Sequence, residues 1–379
     1  MKKHILTRIL AFVIALIMCL CAFCGCKKQE ENNVVMSYRG YELTRGMYRF
    51  LLGQYKNYFL VVYSGDNTPE YYERVLTSGD ESATIGEILT GKIIDIARTY
   101  LAGWYLFDEV YHLTLPEEAL NNVAETLDNE IQNSGSRAAL NEALAKVDLN
   151  VNELEQFYTI SEKVNYVYAY LYGDEDYGLE GIEPITEEET VKYFTENYRA
   201  VDHILINTTV EYILDEDGKY TYDENGEVAY KELDEATAAE KKALAEDVYN
   251  KIKNGEASFE EMKAEYNDDI PDEDRKMAYG YILAEDTGYP QNFTETAFAI
   301  DVGDVAMAEE NYGVHIIKRL ELDTAALKDE EYTKSVLASL DTLVASAKYS
   351  QKIQYIFDEL TVNEDVIAQY PIADAPMSY

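Results

Sequence analysis

Alternating and helical patterns of apolar residues divide the chain into short strands and a larger number of amphipathic helices. Residues 34–43 alternate between apolar and polar side chains, which predicts two strands joined by a turn at Arg39 and Gly40. Three later segments open with Ser or Thr three residues before Glu, the pattern of a helix capping box. Helices are predicted over 44–63, 84–115, 116–132, 137–146, 151–172, 186–197, 236–254, 258–266 and 328–360, with an extended tail over 361–372.

The order of these elements predicts a body of two domains. Residues 34–184 are almost entirely helical and end in a polar link, so we interpret them as an N-terminal helical, chaperone-like lobe. Residues 185–325 mix strands and helices and form the second domain. Residues 326–379 contain a long helix without an obvious partner in that domain. We therefore predict that they complete the helical lobe.

An acidic insertion covers residues 207–235 of the second domain. It contains two similar turn sequences, Asp215-Glu-Asp-Gly218 and Asp223-Glu-Asn-Gly226, which favour tight turns. A β-hairpin fits this pattern best. A calcium site is the alternative, although neither turn completes the twelve-residue loop of an EF-hand.

The first residues are typical of a bacterial export signal. A basic start precedes the apolar run 9–23, which is short for a membrane span. Gly25 and Cys26 then resemble a lipobox, which predicts a signal peptide over 1–25, lipidation of Cys26 and a polar tether over 26–33. The alternative is an ordinary cleaved signal and a soluble secreted protein. All four cysteines lie in this region, at Cys19, Cys21, Cys24 and Cys26.

Composition excludes several classes of function. The net charge is −40, and it becomes −43 when the three cations of residues 1–25 are removed, so the chain is not expected to bind nucleic acid. Because no cysteine follows residue 26, the folded body has no thiolate nucleophile and no cysteine-ligated metal. The sequence also lacks a phosphate-binding Gly-rich loop, a Gly-x-Ser-x-Gly elbow and a His-Glu-x-x-His motif. We expect neither a metal nor a cofactor.

Two of the four histidines share one sequence context. His203 lies in Val-Asp-His-Ile-Leu-Ile and His315 in Gly-Val-His-Ile-Ile-Lys. A rare residue repeated in the same apolar frame suggests two strands that bring both imidazoles to one place.

The segment between these histidines resembles the parvulin (PpiC-like) family of peptidyl-prolyl cis/trans isomerases, over roughly residues 200–322. The resemblance rests on the two histidine strands, a helix pair over 242–266, Asn267-Asp-Asp269, the helix containing Phe293, and the turn at Gly303. It implies an α+β fold in which a small antiparallel four-stranded sheet is flanked by helices. The family's Gly-Gly-Asp-Leu-Gly run is replaced by Lys276-Met-Ala-Tyr-Gly280.

The resemblance also implies roles for individual residues. His203, His315 and Asp269 are expected to be catalytic. The substrate-binding candidates are Tyr279, Tyr289, Phe293, Phe298 and Tyr312, with Tyr289 and Phe293 forming the proline pocket and Phe298 behind it. Two points stay open: the adjacent Asp268 leaves the register of Asp269 uncertain, and a buried histidine pair could simply brace two strands.

The whole arrangement resembles PrsA/SurA-like foldase lipoproteins. It implies X-Pro isomerisation in unfolded or partly folded exported proteins, at the extracytoplasmic face of a cell membrane, with the lipid on Cys26 as anchor. One alternative is an inactive parvulin-like holdase, favoured by the replaced run at 276–280. A solute-binding lipoprotein is the other, but its repeated βαβ units are not evident.

Overall fold

The structure is a computed structural model that describes residues 33–63, 65–78, 81–216, 219–223, 225–269, 278–285, 288–335 and 337–377. The predicted signal peptide and Cys26 lie outside the described residues, as do Lys276 and Met277 of the replaced run. Contacts divide the described chain into two units. The helical unit contains the residues up to Pro184 together with those from Ala347 onward. The sheet unit is Ile185–Ser346.

Capping side chains begin most helices of the helical unit. Thr44, Thr84 and Asn150 each accept a hydrogen bond from a backbone N–H in the first turn of the helix that follows. Up to Pro184 the elements are β1 (Val34–Tyr38), β2 (Tyr41–Thr44), α1 (Arg45–Val62), α2 (Pro69–Glu73), β3 (Val75–Ser78), β4 (Glu81–Thr84), α3 (Ile85–Tyr105), α4 (Glu117–Asn133), α5 (Arg137–Leu144) and α6 (Val151–Tyr172). The predicted helix over 84–115 is shorter, because α3 passes into a π-helical turn at Leu106–Val110.

From residue 185 onward the elements are α7 (Glu187–Asn197), β5 (Arg199–Asn207), β6 (Val210–Tyr212), β7 (Tyr230–Glu232), α8 (Glu235–Lys253), α9 (Phe259–Tyr266), β8 (Tyr281–Leu283), α10 (Gln291–Ala299), β9 (Val305–Glu310), β10 (Gly313–Leu320), α11 (Glu330–Ser335), α12 (Leu340–Glu359), β11 (Thr361–Val362) and α13 (Glu364–Ile367). β11 joins β1 and β2 in a three-stranded sheet of the helical unit.

The C-terminal tail is not extended as predicted. Only Thr361 and Val362 pair with β1, and the side chain of Asn363 then accepts from the backbone N–H of Val366 and begins α13. The ammonium of the buried Lys56 donates to two later carbonyl oxygens, of Ala373 at 2.7 Å and Ala375 at 2.8 Å. Local capping and this lysine explain the folded tail, and neither is visible as hydrophobic periodicity.

The sheet unit contains the predicted antiparallel sheet of four strands, in the order β8-β5-β10-β9. One face carries Ile204, Ile206 and Ile316 against α8 and α9. The other carries Val201 and Ile317 against α10. This arrangement confirms the predicted fold class, a mixed helix and strand protein with a small antiparallel sheet flanked by helices.

The sheet unit extends beyond the boundary predicted at residue 325. Tyr332, Leu337 and Leu340 are buried with Phe194 and Ile282 in one apolar cluster. The contact division accordingly follows Ser346. Hydrophobic periodicity does not predict this packing, because α11 is short, Leu337 lies in a turn, and only the first turns of α12 take part.

The acidic insertion forms paired strands over most of its described length. β6 pairs antiparallel with β7, and further bridges join Leu214 with Tyr220 and Tyr222 with Val228. Within the described residues no group of three or more His, Cys, Asp or Glu side chains could hold a metal ion, but one acidic residue of each turn, Asp217 in the first and Glu224 in the second, lies outside them. No helix in the described part of the chain has the length and apolar character needed to cross a membrane.

Candidate active site

The two histidines lie on neighbouring strands and on the same face of the sheet. His203 of β5 is paired with Ile317 of β10, and His315 is paired with Leu205. The histidines are therefore diagonal neighbours, offset by two residues, a spacing at which side chains of one face come within reach of each other. Each is only 5% exposed. The pairing predicted from their shared sequence context is present.

Five side chains form a continuous hydrogen-bonded row, which we call the histidine row. Its members, in order, are Tyr312, His315, His203, Asp269 and Tyr281. The Tyr312 hydroxyl lies 2.9 Å from His315 Nε2, and the two Nδ1 atoms of the histidines lie 3.1 Å apart. His203 Nε2 lies 3.1 Å from Asp269 Oδ2, which also accepts from the Tyr281 hydroxyl at 2.6 Å.

The edge of β5 explains why Asp269 reaches His203. β8 pairs only with the first three residues of β5, so later backbone groups on that edge need other partners. The side chain of Asn267 accepts from Leu205 N at 2.8 Å, and Asp268 Oδ2 accepts from Asn207 N at 2.9 Å. Asp268 N also donates to the Leu205 carbonyl oxygen at 2.8 Å. Asp268 is therefore bonded to the edge of β5, and the side chain of the next residue, Asp269, faces the histidines.

The Asp269 carboxylate limits which atoms of the row can donate hydrogen bonds. An ionised Asp269 carboxylate can only accept, so His203 donates to it from Nε2. With a neutral His203 ring, His203 Nδ1 accepts from His315 Nδ1, and His315 Nε2 then accepts from the Tyr312 hydroxyl. Burial first, and then the neighbouring His203, lower the pKa of His315 to about 3, while Asp269 acts in the opposite direction. The lowered pKa keeps the His315 ring neutral near pH 7.

An aromatic surface covers the histidines from the side of α10. The ring of Phe293 makes edge contacts with both imidazoles, at centroid distances of 5.3 Å to His203 and 5.1 Å to His315. Tyr289 stacks on Phe293 at 5.7 Å. Phe293 is only 2% exposed, so it is a core residue as well as a neighbour of the row. Phe298 packs against the apolar cluster that contains Phe293. The guanidinium carbon of Arg199 lies over the Phe298 ring, 4.7 Å from the ring centroid.

Tyr279 does not join this group. Its ring makes an edge contact with Tyr332 at 4.9 Å, in the apolar cluster on the sheet face opposite the histidines. The Tyr332 hydroxyl also donates to the Gly280 carbonyl oxygen at 3.3 Å. Gly280 has a φ of +72°, and a Cβ there would lie 2.6 Å from the Val201 carbonyl oxygen. The glycine retained in the replaced run is therefore required by the backbone, and its neighbour Tyr279 packs away from the site.

Sequence reasoning missed Tyr281 as a site residue. It pairs with Val201, two residues before His203, and so lies on the histidine face. Its ring is 4.6 Å from that of His203. Only the register of β8 against β5 selects Tyr281, and the sequence carries no signal for this register.

Residues 203–321 match the family model described as the PPIC-type PPIase domain, a rotamase. The match begins at one histidine of the row and ends just beyond the other, and it covers less than half of the chain. These residues are thus a parvulin-type domain, and the predicted resemblance is confirmed, as is the class of enzyme, a peptidyl-prolyl cis/trans isomerase. No curated protein sequence matches the chain.

Solved structures similar to this chain include three proteins named PrsA. PrsA from Bacillus subtilis is 19% identical and aligns over 75% of this chain and 93% of its own, with a TM-score of 0.23. The peptidylprolyl isomerase PrsA from Bacillus cereus is 14% identical over 79% and 92%, with a TM-score of 0.28. PrsA from Streptococcus pneumoniae is 14% identical over 78% and 98%, with a TM-score of 0.21. Similarity at this level supports no functional conclusion.

Proposed function

We propose that this protein is a foldase for exported polypeptides, held at the extracytoplasmic face of a membrane by lipid on Cys26. Its parvulin-type domain isomerises X-Pro bonds in unfolded or partly folded clients. The observation that carries the catalytic part is the histidine row, a hydrogen-bonded set in which the two histidines are buried and the Asp269 carboxylate is partly exposed.

The reaction requires no nucleophile. An X-Pro bond prefers trans by only about 0.5–1 kcal/mol, but amide resonance sets a rotation barrier of about 18–20 kcal/mol. A site that stabilises the twisted amide over both planar forms lowers this barrier. The twisted amide has less negative charge on its carbonyl oxygen than the planar amide. A fixed negative group near that oxygen therefore favours the twisted form.

Asp269 is the residue placed to act in this way. Its side chain is 29% exposed, whereas the histidines behind it are buried. The histidines and the two tyrosines hold the carboxylate in position through the row, and the reaction requires no proton transfer. Tyr289, stacked over Phe293, presents the apolar surface for the proline ring. Because Phe293 is covered, the proline ring contacts it only when Tyr289 moves aside.

Refolding of a proline-limited client protein tests the foldase proposal. The wild-type chain should accelerate the slow refolding phase and should reduce client aggregation. His203→Ala, checked for an intact fold by circular dichroism, should retain the effect on aggregation but lose the acceleration. A wild-type chain that suppresses aggregation without accelerating the slow phase would instead support the holdase alternative.

The membrane anchor is supported by the sequence of residues 1–26 alone. Cys26→Ser should move the protein from the membrane fraction to the soluble extracytoplasmic fraction and abolish labelling with a radioactive fatty acid. Cys24→Ser is a matched control, because it removes a thiol two residues earlier and should leave both properties unchanged. Labelling that persists in Cys26→Ser would contradict the anchor.

A further inference from the structure

A cleft lies within the helical unit between α1, α3, α4 and α6. These helices are separate in sequence from the isomerase domain. Its volume is about 420 Å³, within the range of about 300–1,000 Å³ that is usual for ligand sites. Six aromatic side chains account for most of its wall: Phe50, Tyr55, Tyr58, Tyr100, Phe157 and Tyr158. We call it the aromatic cleft.

The rings of the aromatic cleft support one another. Tyr100 stacks on Phe157 at 5.2 Å, and Phe50 makes an edge contact with Phe157 at 5.4 Å. Burial first, and then the neighbouring Tyr100, raise the pKa of Tyr55 to about 12, so Tyr55 carries no negative charge near neutral pH. Ring faces are electron-rich, and a cation placed over them is attracted.

One carboxylate completes the cleft. Glu130 of α4 is half-buried and is the one charged residue among those lining the described cleft. Within the described part of the chain its carboxylate forms no ion pair, and α4 itself contains five acidic residues and no Lys or Arg. An unpaired carboxylate beside aromatic faces is complementary to a guanidinium, which combines ring stacking with bidentate hydrogen bonding.

An apolar stripe leads out of the cleft along α1. Tyr58 lines the cleft and is 56% exposed, and Val61 and Val62, which lie three and four residues later on the same helix face, are also exposed, Val61 by 75%. A free small cation would leave this stripe uncovered. A polypeptide can place one side chain in the cleft and its neighbours on the stripe.

We propose that the aromatic cleft binds an arginine side chain of an extended, unfolded polypeptide. Binding is independent of proline and of the histidine row. The helical unit would thus select cationic segments of clients, consistent with the strongly acidic chain, whose charge attracts such segments from a distance.

The test uses the full chain and a short unstructured peptide without proline, with arginine at its centre. A peptide with citrulline in that place is the neutral control of the same shape. Fluorescence anisotropy should show the arginine peptide binding at least about threefold more tightly. Glu130→Gln and Tyr58→Leu should each weaken its binding about three- to fivefold and leave citrulline binding unchanged.

Glu125→Gln is the matched control, because it removes the same charge from an exposed position of α4 outside the cleft. If Glu125→Gln and Glu130→Gln weakened binding of the arginine peptide equally, the peptide would be attracted by the acidic surface in general, and the proposed site would be wrong. Equal affinity for the arginine and citrulline peptides would overturn the proposal. Free arginine binding as tightly as the peptide would also overturn it, in favour of a small-molecule site. Glu130→Gln decides the question if Tyr58→Leu fails to fold.

Discussion

Asp269→Asn separates the charge of the carboxylate from its geometry. Two hydrogen bonds to this side chain, from His203 Nε2 and from the Tyr281 hydroxyl, end on the same oxygen, Oδ2. The amide oxygen of asparagine can occupy that place and accept both. The substitution therefore keeps the hydrogen-bond pattern of the histidine row and removes only its negative charge.

The expected loss follows from the charge that Asp269 presents to the substrate carbonyl oxygen. Two unit charges about 4 Å apart near a protein surface interact by about 4 kcal/mol. The charge that leaves the carbonyl oxygen as the amide twists is a fraction of one unit, which gives about 2 kcal/mol or about 30-fold in rate. Since 29% of the side chain is exposed, solvent screening reduces this, and we expect kcat/KM to fall about tenfold.

NMR exchange of an Ala-Pro peptide measures this loss directly. Asp268→Asn is the matched control, because Asp268 binds the backbone of Asn207 and lies near Lys241, outside the row. That control should change kcat/KM by less than about twofold. If a folded Asp269→Asn enzyme kept wild-type kcat/KM, the charge of the carboxylate would have no part in catalysis.

Three further predictions follow from burial and pairing in the sheet unit. Phe293→Ala should lower the free energy of unfolding by about 3–5 kcal/mol, because it empties a buried ring position; a loss below about 1 kcal/mol in urea unfolding would contradict its place in the core. From pH 7 to pH 5 the free energy of unfolding should fall by about 2 kcal/mol, because unfolded His315 takes up a proton that the folded ring, with a pKa of about 3, does not. His315→Gln should remove this dependence, and an unchanged pH profile in that variant would exclude His315 as its source. Tyr312→Phe removes a hydrogen bond to His315 and should lower kcat/KM about fivefold, whereas Tyr279→Phe, in the other cluster, should leave it unchanged. Equal losses of kcat/KM in Tyr312→Phe and Tyr279→Phe would contradict the placement of Tyr312, and not Tyr279, in the histidine row.

Sequence periodicity predicted most of the helices and the strands that carry the site. Repeated apolar frames identified both histidines, because a strand buried on both faces is nearly continuous in apolar residues. Capping boxes located helix starts, since their hydrogen bonds are local in sequence. Apolar periodicity and capping hydrogen bonds depend on the spacing of residues along the chain, which the sequence shows directly.

Register and side-chain direction could not be read in the same way. Tyr279 and Tyr281 are two residues apart, yet the positive φ of Gly280 and the bond from Tyr332 place their rings on opposite faces of the sheet. The choice between Asp268 and Asp269 depended on hydrogen bonds to the free edge of β5. Both outcomes rest on contacts between residues distant in sequence, for which the chain carries no local signal.

NMR exchange of an Ala-Pro peptide, with the wild-type chain and with His203→Ala, measures whether the histidine row catalyses X-Pro isomerisation. The wild type should accelerate cis/trans exchange, and a folded His203→Ala variant should lose most of that acceleration. A folded wild-type chain that leaves the exchange rate unchanged, or a His203→Ala variant as active as the wild type, would refute catalysis by the histidine row.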